Sequence, residues 1–481
     1  MNKILISLLL TGLLAGCASM APDYQRPEPP VPSEWGSAAG DGERNLADVG
    51  WREFFVDERL RQLIMLGLEN NRDLRIAALN IEQARAQYRV QRADLFPTVN
   101  AGGSVSIQRN SSGARSGSVD NTTGTSVVTN PGSSDNDEIT RNYRASIGLS
   151  AYELDFFGRV RSLNEQSLQL YLATREARRA TQISLVAEIA NAWLTLAADR
   201  ERLRLAEETL ASQTQSYELT RRRFELGVSS ELDVRQAQTT MDTAQVDVAR
   251  YSTLVRQDEN ALTLLLGTPL PEALKPQDGM VEVTALADLP TGLPSEVLQN
   301  RPDVLQAERQ LMAANANIGA ARAAFFPMIS LTATLGTASR DLAGLFGAGS
   351  GFWSFIPQIT VPIFNAGRNK ANLEVAELQK DINIAEYERA IQIAFREVAD
   401  ALALKATVDE QLAAQRSLVE ATDVSYRLAE ARFNSGIDSY LTVLDSQRAM
   451  YASQQNLITL RLLLLNNQVT LYRALGGGWA E

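Results

Sequence analysis

The chain states one plan twice. Residues 217–238 read YELTRRRFELGVSSELDVRQAQ and residues 426–447 read YRLAEARFNSGIDSYLTVLDSQ. Tyr217 falls on Tyr426, Phe224 on Phe433, Gly227 on Gly436 and Gln238 on Gln447 at one constant offset. A second pair lies upstream of each copy, Arg92-Ala-Asp-Leu-Phe-Pro97 and Arg322-Ala-Ala-Phe-Phe-Pro327. A third, Phe157-Gly158-Arg159 and Ala366-Gly367-Arg368, opens a long helical run in each half. A repeat unit of about half the chain means a duplicated body rather than a solenoid of short repeats.

Each half then follows the same script. Helical periodicity over 57–95 (Leu60, Leu63, Ile64, Leu74, Ile81) ends at Pro97. Strict alternation follows, with Val99, Ala101, Val105 and Ile107 apolar against Asn100, Ser104, Ser106 and Gln108. It resumes after a polar loop with Tyr143, Ala145, Ile147 and Leu149, and recurs in the second half over Ile329–Leu335 and Phe355–Ile363. Period-two alternation gives a sheet with two different faces. Strands of about 10 residues match the length of a transmembrane β-strand. Phe156, Phe157, Phe325, Phe326, Phe352 and Trp353 cluster at strand ends, as an interfacial aromatic girdle would. Pro357 and Pro362 weaken the fourth strand, because proline cannot donate to a ladder.

The runs from Gly158 to Leu226 and from Gly367 to Ser435 hold no Gly or Pro after their first residue. Each predicts a helix spanning roughly 100 Å at 1.5 Å per residue, a length that signals coiled-coil packing. Tight turns at Gly227 and Gly436 lead to returning helices, from about Ser230 to Leu266 and from about Asp438 to Leu475.

Composition removes several function classes. The formal net charge is -11 and the basic residues are dispersed, which argues against a nucleic-acid face. The absence of histidine excludes a His-dependent triad or a His-ligated zinc site, and no cofactor is expected. The eight methionines are scattered, with no Met- or Cys-rich cluster for soft ions. No stretch of 18 apolar residues follows the leader, so any membrane-spanning part must be β. Four strands cannot close a lipid-exposed barrel. Two chains would give eight strands and three would give twelve, and strand arithmetic alone does not choose.

The leader, MNKILISLLLTGLLAG, has a basic start and a short apolar run, as a secretory signal has. Leu14-Ala15-Gly16-Cys17 resembles the bacterial lipoprotein box, which makes Cys17 the expected lipid attachment site. Ala18 follows where an inner-membrane retention signal would place Asp, pointing to the outer membrane. The expected organisation is a signal peptide (1–16), a lipidated linker (17–56) and a first repeat (57–266) with a β-hairpin over about 98–154 and a helical tip near 227. An inter-repeat equatorial segment (267–294) follows, then a second repeat (295–475) with a hairpin over about 328–364 and a tip near 436, and a tail (476–481).

Together these features resemble the outer membrane factors of tripartite efflux systems, the TolC/OprM type, in the lipoprotein (RND-system/NodT) branch. The resemblance is carried by LAGC with PDYQRP behind it, Asn300-Arg-Pro-Asp303, Ala320-Ala-Arg-Ala-Ala-Phe-Phe-Pro327, the duplicated tip and Leu475-Gly-Gly-Gly-Trp479. It implies an α+β membrane protein, a duplicated long α-helical coiled-coil barrel plus a transmembrane β-barrel, with four strands per chain and twelve in a homotrimer. It implies outer membrane localisation with a long periplasmic extension. The implied partners are a periplasmic adaptor (membrane fusion) protein, an inner-membrane pump of the proton-driven RND type and outer membrane lipid. A duct for a type I protein-secreting system would use the same architecture and is the alternative. A coiled-coil adaptor would need one hairpin and soluble β modules instead of membrane-length strands, and no catalytic pocket is marked.

A tunnel through the periplasm must close when no pump is docked. Asp438, Leu441, Asp445 and Arg448 are spaced by three, four and three, which predicts one face of the last helix just beyond Gly436. The resemblance makes Leu441, Asp445 and Arg448 of YLTVLDSQR the constriction, each a ring of three in a trimer. An Asp445 ring would attract cations, and Thr442 stands where TolC has a second aspartate. A solvated helix face with Asp438 as its cap is the plain alternative. In the first copy, Leu232, Asp233 and Arg235 are the expected counterparts, placed with Gly227 and Gly436 at the hairpin tips as adaptor contacts.

Overall fold

The computed structural model describes residues 19–32, 49–109, 139–277, 279–280, 284 and 295–478. Cys17, Trp35 and Trp479 lie outside the described residues, as does the loop over 110–138. The chain divides into two compact units. One holds residues 1–24, 86–168 and 313–380; the other holds 25–85, 169–312 and 381–481.

The helices in chain order are α1 (Trp51–Phe54), α2 (Glu58–Asn70), α3 (Arg72–Ala93), α4 (Arg159–Glu225), α5 (Glu231–Leu266), α6 (Pro302–Ala323), α7 (Arg368–Asn434) and α8 (Tyr440–Ala474). No helix among the described residues is long and apolar enough to cross a membrane. α4 and α7 are each 67 residues long, and each begins after a glycine of positive φ, Gly158 at 76° and Gly367 at 84°. The single helix anticipated over 57–95 is two helices. Asn71 breaks it in extended geometry, its side-chain Oδ1 accepting from the Leu74 amide and its Nδ2 donating to the Leu265 carbonyl. The amide caps α3 and ties it to the end of α5 at once, so a tertiary bond decides the break.

The first unit carries a four-stranded antiparallel meander of β1 (Val99–Arg109), β2 (Ile139–Glu153), β3 (Met328–Ser339) and β4 (Gly351–Thr360), in that order. β2 pairs with β3 from Tyr143↔Ser339 to Glu153↔Ser330, so the two halves of the repeat share one sheet. A bulge between Leu149 and Tyr152 bends β2, where Ala151 adopts φ 50° and its amide donates to Thr332 Oγ1 at 3.1 Å. Val105, Ile147, Leu335, Trp353 and Phe355 lie on one face and are exposed. Asn100, Ser104, Ser146, Thr334 and Ser354 take the other. Pro357 does not end the fourth strand: it sits inside β4 opposite Leu331, in the last strand of this chain's sheet. At the base of the sheet Phe157 stacks on Phe326 with centroids 4.8 Å apart, and Arg159 pairs with Glu153. The aromatic cluster therefore splits. Trp353 stays on the apolar face, Phe157 and Phe326 pack on each other, and Phe352 turns to the polar face.

The second unit has the larger core. Trp51, Phe54 and Phe55 of α1 and its end are fully buried, and Phe54 stacks on Tyr472 of α8 at 3.9 Å between centroids. Burying each such side chain contributes about 2–3 kcal/mol. Tyr472 donates its hydroxyl to the Val49 carbonyl at 2.6 Å. Gly477 lies against the Tyr472 ring so closely that a Cβ there would come within 2.2 Å of it. The Asn300-Arg-Pro-Asp303 motif is structural. Pro302 starts α6, and buried Arg301 donates to the Ala474 carbonyl at the end of α8 at 2.6 Å and pairs with Asp303 and with Glu397 of α7. Arg26 of the PDYQRP segment grips Glu308 of α6 through two bonds of 2.7 and 2.8 Å.

Between α4 and α5 two carboxyls meet. Asp199, 4% exposed, pairs with Arg202 at 2.6 Å, and Arg202 reaches on to Thr459 of α8 at 2.8 Å. Asp258 faces Asp199 and has one oxygen, Oδ2, without a hydrogen-bond partner. Burial first, then the charge of Asp199 and a hydrogen bond to it, push the Asp258 carboxyl up to about 7.

Candidate gate at the helical-hairpin tips

The tips belong to the second unit and are built twice. Gly227 turns at φ 77° and Gly436 at φ 73°, both in open space. In each, the glycine amide returns to the carbonyl three residues back, and the next amide to the carbonyl five back (Val228 to Arg223, Ile437 to Arg432). A left-handed residue is needed at this turn, which is why glycine repeats there.

Beyond the turns the copies part. In the first, Ser230 caps α5 and Asp233 completes a capping box, accepting from the Ser230 amide at 3.0 Å and from the Ser230 and Ser229 hydroxyls. The Ser230 backbone bond leads in holding the Asp233 carboxyl below the usual carboxylate range. Arg235 is tied to Glu231 at 3.3 Å and Gln238 at 3.1 Å, while Leu232 is 65% exposed. In the second copy Ser439 occupies the cap of α8 and makes no capping bond. Thr442 stands where Asp233 stands in the first copy, so no box can form.

Asp438 is not on the helix face that its spacing predicted, and it is not the cap. It lies in the turn before Ser439, and Arg432 takes both its oxygens at 2.6 and 3.0 Å. That guanidinium holds the Asp438 carboxyl low. The sequence reading passed over Arg432, although the repeat held its signal. Arg432 and Arg223 are equivalents, but Ser229 stands where Asp438 does, and Arg223 instead lies over the Phe433 ring at 4.9 Å. The expected counterparts also shift. At the constant offset Leu232 matches Leu441, but Asp233 matches Thr442 and Arg235 matches Leu444. Gln236 and Thr239 match Asp445 and Arg448.

α8 thus has two faces at its start. Tyr440, Val443 and Leu444 are buried with Ala237 and Ala429, flanked by Tyr217, Tyr426 and Phe433. Gln447 continues that buried face. Leu441, Asp445 and Arg448 share the opposite one. Leu441 is 49% exposed, and Asp445 and Arg448 meet at 3.5 Å as an open i,i+3 pair. Such an exposed pair contributes little to stability. Behind this face Tyr451 donates to Asp247 of α5 at 3.1 Å and Tyr251 to Gln455 at 2.8 Å, holding α5 and α8 together.

Residues 63–268 and 293–477 match the family described as outer membrane efflux protein. The chain belongs to that family. Its members form trimeric channels of the outer membrane that work with an adaptor and an inner-membrane pump. The four strands described here are accordingly one chain's share of a twelve-stranded barrel, and the helices its share of the periplasmic extension. The chain is 52% identical to the probable efflux pump outer membrane protein TtgC of Pseudomonas putida, over all of this chain and 97% of that one. It is 44% identical to the cation efflux system protein CusC of Escherichia coli over 97% of each. Among solved structures, that of CusC superposes with a TM-score of 0.84 at 41% identity, covering 96% of this chain and 100% of that one. The open state of the MtrE channel of Neisseria gonorrhoeae superposes with 0.84 at 36% identity, covering 96% and 99%. This outer membrane efflux protein is therefore the outer membrane channel of a tripartite efflux pump.

Proposed function

We propose that the trimer is closed at its periplasmic tip by rings of Leu441, Asp445 and Arg448, and that its cargo is drug- or solvent-type small toxic molecules. The observation that carries the gate is the contrast between the two copies. The start of α5 is locked by its capping box, whereas α8 starts without one and presents an exposed, weakly paired Leu–Asp–Arg face. An apolar ring of Leu441 seals against water, and a ring of three Asp445 carboxylates draws cations. Asp438 belongs to the turn that aims this face rather than to the ring, because Arg432 already holds it.

The locked copy is the firmer surface, and Gly227, Leu232, Asp233 and Arg235, together with Gly436 at the second tip, form the adaptor contact in this reading. Acylation of Cys17 anchors the chain in lipid, and the pump that drives export is of the proton-driven RND type. Relatives named for export of toluene and of antibiotics, at 52% identity, support the cargo class over a secreted protein.

The test is the single-channel conductance of the trimer in a planar bilayer. Asp445→Ala combined with Arg448→Ala should raise it severalfold over wild type. Unchanged conductance in the double variant would remove the gate assignment.

A further inference from the structure

The polar face of the sheet carries a site at its outer end. Membrane barrels turn their apolar face to lipid, so the Asn-, Ser- and Thr-rich face lines the lumen. Outward of the Leu149–Tyr152 bulge, Arg144 is the one charged residue on that face among the described strand residues. Arg109 and Arg141 have the opposite parity and share the face of Ile107 and Ile147.

Arg144 is half-buried and has no carboxylate partner among the described residues. Its guanidinium lies over the ring of Phe352, 5.3 Å from the centroid. The two are not neighbours in the ladder. Arg144 stands opposite Ala338 on β3, and Phe352 on β4 stands opposite Gly336. The side chain crosses the whole of β3 to reach the ring, over Gly336, which has no side chain, and Ala338, which has a methyl. Phe352 is the second residue of β4 and Ala338 the last but one of β3, so the pair sits beside the outer hairpin loop.

We propose that the Arg144–Phe352 pair, repeated three times around the lumen, is an exit subsite that binds aromatic organic anions. The flat cation offers hydrogen-bond donors to a carboxylate or sulfonate, and the adjacent ring offers a stacking surface to the aromatic body. A cation leaving the barrel meets a like-charged ring with no carboxylate on the same face outward of the bulge among the described strand residues. The Arg144 ring thus favours anions, the opposite preference to that of the Asp445 ring proposed above. The subsite rests on the family channel and not on the tip gate, since conduction through the wild-type tip is sufficient to observe it.

The experiment uses the full-length trimer in a planar bilayer with a pyrene trisulfonate added on the outer side, and a pyrene bearing a quaternary ammonium as the opposite probe. In wild type the trisulfonate should block the current better than the ammonium. Arg144→Gln should weaken trisulfonate block about tenfold, equivalent to the loss of roughly one ion pair or cation–π contact per protomer, and should shift the reversal potential in a KCl gradient toward cation selectivity. Phe352→Leu keeps the charge, so its reversal potential should stay at the wild-type value while the block weakens. Equal trisulfonate block in wild type and Arg144→Gln, or identical reversal potentials, overturns the subsite and leaves the Asp445 and Arg448 result standing. Should Arg144→Gln fail to give heat-stable trimers, Arg144→Lys decides. It must keep the reversal potential and lose part of the block, and full retention of the block overturns the role of the planar cation.

Discussion

Single side chains do different work in the two units, and Asp258 shows it most directly. A carboxyl of ordinary affinity in the unfolded chain, near 3.9, becomes one of about 7 between α4 and α5. The folded state therefore holds its proton where the unfolded state has released it. Stability from this group is complete below about pH 4, falls as pH rises between about 4 and 7, and stays lower above 7. Asp258→Asn keeps the shape and removes the titration. It should flatten the pH dependence of thermal unfolding across that window and add about 1–2 kcal/mol above pH 7, a figure reduced for the solvent that still reaches the group. An unfolding profile that slopes as the wild type does would show that Asp199 does not meet an ionisable partner there. This pair was illegible in the sequence, because Asp199 and Asp258 lie on helices joined through the distant tip. The histidine-free composition, by contrast, excludes imidazole chemistry on sequence alone.

At the scale of elements, the periodic signals read well. The runs without Gly or Pro became α4 and α7, and alternation became β1 to β4. What escaped was decided by partners elsewhere in the chain. The break at Asn71 depends on a carbonyl of α5, the role of Asp438 depends on Arg432, and the side of the sheet taken by Phe352 follows its register with Gly336. The capping box of α5 was equally outside the periodic signal, though Ser230 and Asp233 stand at the right spacing. Its loss is measurable. Asp233→Ala should destabilise the first turn of α5 by about 1 kcal/mol, read as faster amide exchange at Leu232 to Arg235 with exchange at the start of α8 unchanged. Equal acceleration at both tips would mean that the two copies are braced by each other and not by their own caps.

Over the whole molecule, the test of cargo lies in cells. Cells lacking this protein should retain more of a fluorescent lipophilic dye than the same cells complemented with it, since the duct is the last step for anything the pump expels. If dye retention stays level while sensitivity to toxic cations rises on deletion, the cation class named for the relative at 44% identity replaces the drug and solvent class. Of the family assignment, almost all was legible: the duplicated tip, the Arg301 motif and the glycine run appear in order along the chain. Their reasons were not. Arg301 holds the end of α8, and the glycines make room for the Tyr472 ring, so motifs that marked the family turn out to be joints of the second unit.

The pairing of β2 with β3 reaches beyond a description of the sheet. These neighbours are separated in the chain by α4, α5 and α6, so their seam closes a very long loop, whereas β1–β2 and β3–β4 are hairpins. Loop-closure entropy makes the local hairpins the natural first structures and their joining the late event. To a growing barrel, a seam inside one chain is then hardly different in kind from a seam between two. Assembly becomes the docking of six ready-made hairpins, with the covalent chain deciding which of them arrive together.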